Sequence, residues 1–142
     1  DRPTLEDGIE ADSGLLCGRD ALAGGFVLGL QVQRGHFAAL TNCRCRVRWS
    51  PEERTSRGLL VEHLASHGPK LAEFASGRKI DPYHAVCGEI FGEAPELHYF
   101  WNTPEDSQEP PAAPESCRWS VGHQPLSSGV FVVSNENLAE AA

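Results

Sequence analysis

No apolar run in this chain approaches the ~20 residues that a membrane-spanning helix needs, so no such helix is expected. Basic charge is scarce. Lysine and arginine total 12 against 20 acidic residues, a net charge of −8. That balance disfavours general nucleic-acid binding, which needs a basic footprint. Disulfide patterning is also missing. The five cysteines are an odd number in no framework spacing, which points to a reduced compartment such as the cytoplasm or mitochondrion. The sequence starts at Asp1 with no signal-peptide pattern, and it contains no internal repeat. What remains is ordinary for a globular chain: 142 residues, 40% hydrophobic and 23% charged. One domain of that length buries a substantial core.

The clearest structural signal lies between Leu16 and Asn42. Phe26, Leu28 and Leu30 alternate with Val27, Gly29 and Gln31, the period of a strand. Gln33-Arg34-Gly35-His36 is turn chemistry, since glycine tolerates positive φ without a Cβ clash. Phe37 to Leu40 returns as a mostly apolar strand, so Gly25–Val32 and Phe37–Asn42 are expected to pair as an antiparallel hairpin. Gly24-Gly25 permits a sharp bend before it. Asn42 then falls at a strand end, where a scaffold can aim its amide into a cleft.

The rest of the chain reads as mixed elements. Cys43 to Thr55 is a polar connection, with Ser50 and Pro51 opening a helical turn. Ser56 to Ser66 has a helical apolar face of Leu60, Val61, Leu64 and Ala65. Gly68-Pro69 ends it and leads to a short helix from Lys70 to Ala75, stopped by Gly77. Tyr83 to Phe91 and Glu96 to Trp101 read as a strand hairpin, expected to form or join a second sheet. Asn102 to Ser116 holds four prolines and four acids and reads as a mobile, solvated loop. Strands follow at Cys117–Val121 and Val130–Val133, then a helix over Ser134–Ala142. The order of elements implies a single α+β domain, residues 1–142, with antiparallel sheets packed against helices.

Several blocks together resemble the transport and Golgi organization family, also called the NRDE family. The blocks are Leu15-Leu16-Cys17-Gly18-Arg19-Asp20, Gly24-Gly25-Phe26-Val27-Leu28-Gly29 and Ala38-Ala39-Leu40-Thr41-Asn42. Ser56-Arg57-Gly58-Leu59-Leu60-Val61, Val133-Ser134-Asn135 and the opening Asp1-Arg2-Pro3-Thr4 complete the set. Phe26-Val27 replaces the family's Thr-Trp, and Leu59 replaces a Glu, so no polar role carries over to those positions. The family reaches its NRDE letters before the Arg-Pro and continues beyond the Ser-Asn. The resemblance therefore implies that these residues are part of a longer chain.

The resemblance further implies part of the αββα sandwich of N-terminal nucleophile hydrolases. In that class an N-terminal Cys, Ser or Thr attacks a carbonyl and its own amine serves as base. Asp1 cannot do that chemistry, and no catalytic residue is assigned. Three roles follow. The first is a small-molecule binding or carrier protein for an acidic or hydrophobic metabolite, in a family linked to Golgi organisation, secretion and haem or lipid handling. The second is a carbon–nitrogen bond hydrolase with an N-terminal Cys upstream of this sequence. The third is a trafficking adaptor.

The candidate ligand-binding residues are Asn42, Asn135 and Arg57. Asparagines at similar strand ends line the pocket of related acylases, and two converging amides can hold a carbonyl or carboxylate without adding charge. The plainer reading makes Asn42 a turn residue and Asn135 a helix N-cap. Arg44, Arg46, Arg48, Arg54 and Arg57 hold five of the 12 basic residues. Such forks suit carboxylate or phosphate, and the plainer reading pairs them with Glu52, Glu53 and other surface acids. Cys43-Arg44-Cys45 is a weak zinc or redox signal, since structural zinc takes four ligands. No metal, cofactor or histidine role is assigned.

Overall fold

A computed structural model describes residues 5–10, 14–20, 26–43, 45, 47–70, 74–105, 113–127, 131–133 and 138–140. In chain order the elements are β1 (Leu5–Glu10), β2 (Leu15–Asp20), β3 (Phe26–Gln31), β4 (His36–Asn42), β5 (Arg54–Thr55) and α1 (Arg57–His67). There follow β6 (Lys79–Ile80), β7 (Tyr83–Glu89), β8 (Glu96–Pro104), β9 (Trp119–Leu126), β10 (Phe131–Val133) and β11 (Leu138–Glu140). Seven strands share one sheet in the order β1-β2-β3-β4-β7-β8-β9, and every neighbouring pair is antiparallel. Two small ribbons accompany it, β10–β11 antiparallel and β5–β6 parallel. With α1 laid on the sheet, the class is α+β. No helix among the described residues is long and apolar enough to cross a membrane.

The expected β3–β4 hairpin forms, with Leu28 opposite Ala39 and Gln31 opposite His36. Gly35 takes φ 65°, and a Cβ there would meet the Phe91 ring at 2.5 Å. Only glycine satisfies both demands.

Register explains where the core sits. Ala38 pairs with Cys87, and Leu40 lies opposite Ala85, which lies opposite Phe100. These rows face α1, whose Leu60, Val61, Leu64 and Ala65 are fully buried against them. Gly29 belongs to the same face. A Cβ on it would lie 3.1 Å from the Ala65 methyl, so its bareness lets the helix seat on the sheet. The helix begins at Ser56, whose hydroxyl accepts the Gly58 N–H at 3.2 Å. It ends at Gly68 (φ 73°), whose N–H donates to Leu64 O at 2.9 Å.

Four expectations are corrected. The β7–β8 hairpin does not open a second sheet. It joins the first, because β4 and β7 match over their whole length, from His36–Glu89 to Asn42–Tyr83. Leu15–Asp20 forms a further strand ahead of the β3–β4 hairpin, with β1 paired beyond it. Asn102 to Pro104 belong to β8, laddered to Trp119–Val121, so the loop is shorter than expected. Strand β9 starts at Trp119 and runs on to Leu126. It carries Pro125, which an edge strand accommodates because its outer N–H has no ladder partner to lose. Leu138–Glu140 is a strand paired with β10 rather than helix. So short a helix is marginal without tertiary packing, and the ladder satisfies the same backbone groups. The remainder of the Pro/Glu-rich loop (106–112), the start of the short helix (71–73) and residues 134–137 lie outside the described residues.

Candidate ligand site at the end of the central strands

β4 ends at Asn42, opposite Tyr83 of β7, which lies opposite Asn102 of β8. Asn42 is exposed and Asn102 half-buried. The Asn102 amide donates from Nδ2 to Ile80 O at 3.4 Å. Tyr83 between them is buried, and burial pushes its hydroxyl pKa up. Asn135 lies outside the described residues. Asn102 is the amide that the register places in the row of Asn42, about 10 Å away across two strand spacings. Sequence reasoning passed over it. The available signal was its position at the end of the aromatic run Tyr99-Phe100-Trp101, just as Asn42 follows Phe37 to Leu40.

Beyond Asn42 the chain leaves the sheet as an arginine-rich connection. Asp81, 3% exposed, organises it. Its Oδ1 accepts the Trp49 N–H at 2.9 Å. Its Oδ2 lies 3.3 Å from Arg54 Nη1 and 4.0 Å from Arg48 Nε. Arg57 Nη1 donates to Pro82 O at 3.1 Å, one residue further on. The β5–β6 ribbon sets this arrangement by pairing Arg54 with Lys79 and Thr55 with Ile80, next to Asp81. Among the described arginines of the connection, Arg48 and Arg54 face Asp81 rather than Glu53. The Glu53 carboxylate takes the Lys79 ammonium and, at 3.0 Å, the Ser50 hydroxyl, which in that order hold its carboxyl below the usual range. Arg44 and Arg46 lie outside the described residues.

The electrostatics are uneven. Two guanidiniums, Arg48 and Arg54, face one buried carboxylate, and a third, Arg57, binds the carbonyl of the next residue. Burial pulls the Arg57 pKa below its ordinary value, Asp81 opposes that shift, and Arg48 and Arg54 add to it. The same groups reach the neighbouring thiols. Cys43 is pushed up to about 11, first by burial, then by the charge and hydrogen bond of Cys45, against the pull of Arg48 and Arg57. Among the described residues no three His, Cys, Asp or Glu side chains gather in a way that could hold a metal ion.

Two further polar pairs lie on the sheet. His84 Nδ1 and Tyr99 Oη share a hydrogen bond of 2.6 Å, and both residues are buried. Burial pulls the imidazole pKa down and pushes the phenol up. Among the described residues His84 Nε2 is buried without a partner. On β8 and β9, His98 Nδ1 meets His123 Nε2 at 2.8 Å, with the Glu96 carboxylate 3.5 Å from His98 Nε2.

The central strands of this α+β sheet thus end in two amides beside an arginine-rich connection. The model of the family described as Transport and Golgi organisation 2 matches residues 1–141. The chain belongs to that family, and membership links it to Golgi organisation and transport. No curated protein and no solved structure matches it.

Proposed function

We propose that this chain is a small-molecule binding or carrier protein that holds an acidic metabolite at the end of β4, with Arg57 and Asn42 as its contacts. One observation carries the reading: Arg48 and Arg54 face a single buried carboxylate, Asp81, and Arg57, bound to the Pro82 carbonyl one residue further on, adds a third cation. A cluster with more cations than anions lowers its energy by taking a further carboxylate or phosphate. Guanidinium forks do so with two parallel bonds. Half-burial of Arg57 strengthens such a bond relative to open water. Asn42 adds a neutral donor at the strand end.

Isothermal titration of the chain with short- and long-chain monocarboxylates and dicarboxylates tests the proposal. At least one class should bind, with affinity falling about tenfold in Arg57→Gln, the loss expected for one charge-assisted hydrogen bond. Absence of binding across the panel, or unchanged affinity in Arg57→Gln, removes the reading.

A further inference from the structure

We propose that the open edge of β9 is an interface for a second copy of this chain: two β9 strands pair antiparallel about a two-fold axis at Val121 and join two sheets into one. β9 is the last strand of the sheet, and among the described residues only β8 pairs with it. The register tells which main-chain groups it leaves free. The Glu105 N–H donates to Arg118 O at 2.8 Å, one step beyond the Pro104–Trp119 pair. Bonded and non-bonded pairs alternate along an antiparallel ladder. Ser120, Gly122, Gln124 and Leu126 therefore turn their main-chain groups toward β8, while Trp119, Val121, His123 and Pro125 turn theirs outward. Pro104 and Pro125 both fall at non-bonded pairs, where a missing N–H costs the β8–β9 ladder nothing. The N–H and C=O groups of Trp119, Val121 and His123 thus line the edge.

The two edges of the sheet differ in charge. β1, at the other end, holds Glu6, Asp7 and Glu10 within its six residues. Charged residues are a common means of keeping an edge from pairing with another chain. β9 runs for eight residues with no Asp, Glu, Lys or Arg among them. Its one titratable side chain, His123, is held below its ordinary pKa by burial and by His98, and so is uncharged at neutral pH. Val121 is 65% exposed, and His123, Gln124 and Pro125 are exposed as well. An uncharged edge meets its own copy without setting like charges opposite each other. β1 against β1 would oppose acids, so assembly stops at two copies.

One register suits these residues. When Val121 opposes its own counterpart, Trp119 opposes His123 at both ends of the seam. That gives three doubly bonded pairs, or about six hydrogen bonds, and leaves Pro125 outside. The two valines form a β-branched cross-strand pair and take their methyls out of water. A seam of one strand buries less than the ~1,200 Å² of a standard interface, so the dimer is weak and forms at high micromolar concentration. The charge of −8 on each copy opposes it, and salt screens that repulsion.

This inference goes beyond the metabolite reading and is independent of it, since neither Asn42 nor Arg57 takes part. Sedimentation equilibrium of the full chain tests it, under reducing conditions that keep the thiols from crosslinking, in about 0.3 M salt to shorten the screening length. Between about 10 µM and about 1 mM the mass should rise from one chain to two and stop there. Val121→Lys sets like charges opposite each other and should weaken association about tenfold. Val121→Glu should do the same. An equimolar mixture of the two variants should recover the association of the unaltered chain, because opposite charges then face each other. Circular dichroism checks that both variants are folded. A chain that stays monomeric throughout, or a dimer that Val121→Lys leaves intact, overturns the proposal. So does a mixture that associates no better than either variant alone, or growth past two copies.

Discussion

The body of β4 and the connection that leaves its end use opposite means of holding together. Under α1 the rows Ala38–Cys87 and Leu40–Ala85–Phe100 carry no charge and pack against Leu60, Val61, Leu64 and Ala65. That attraction is non-directional and scales with the apolar area removed from water. Past Asn42 the chain is held by directional bonds converging on Asp81 and on the Cys45, Val47 and Pro82 carbonyls. The same residue type shows the contrast. Cys87 is pushed up to about 12 by burial alone, whereas Cys43 is pushed to about 11 by burial and a neighbouring thiol with two arginines opposing. A buried thiol in the first region is packing material. In the second it answers to charge as well as to burial.

The largest expected effect tests the packed region. Leu64 is fully buried, and Leu64→Ala should lower unfolding free energy by about 3 kcal/mol, transfer plus cavity. Urea denaturation reads it. A loss below that of any single change in the connection would erase the contrast.

Next comes the hub of the connection. Asp81→Asn keeps an acceptor for the Trp49 N–H but removes the charge that Arg54 and Arg48 face. Both guanidiniums are partly exposed, so the cost should be about 2 kcal/mol rather than that of a fully buried pair. The same change frees cationic capacity, and carboxylate binding should tighten in the calorimetric titration. Weaker binding would place the carboxylate elsewhere.

A smaller effect is the pH dependence of the sheet. Burial holds the His84 pKa below its ordinary value, and burial with His98 does the same to His123. Below about pH 6.5 the unfolded chain takes up protons that the folded chain refuses. Stability should therefore fall as pH drops through that window, before the carboxylates titrate. Urea midpoints between about pH 7.5 and pH 5.5 measure it. His84→Gln should flatten the slope, and a midpoint that rises on acidification would reverse the assigned sign.

The smallest stability change is expected at Asn42, which is exposed at its strand end. Asn42→Ala should weaken metabolite binding while moving the unfolding midpoint by less than about 0.5 kcal/mol. A large stability loss with intact binding would return Asn42 to a turn residue.

Local pattern was enough for the β3–β4 hairpin, for α1 and for the β7–β8 hairpin. Alternation, the Gly35 turn, the Ser56 cap and the Gly68 stop each act within a few residues, and the chain carries them openly. The candidate site was legible only in part. Asn42 and Arg57 stood out by strand-end position and arginine density, while Asp81 and Asn102 did not, because nothing near either residue in sequence marks its partners. Cys43 and Cys45 were visible as a pair, but not the contact of Arg48 Nη1 with Cys45 Sγ.

By itself the sequence determined the class, the family blocks and the elements whose hydrogen bonds and apolar faces are local. Only the tertiary structure decided that β7 pairs with β4 in one sheet, that Leu138–Glu140 is a strand, and that two arginines converge on the Asp81 carboxylate with a third on the next carbonyl. Those outcomes depend on contacts between residues far apart in the chain. Their energies come from whichever surfaces meet, and no short stretch of sequence contains both partners.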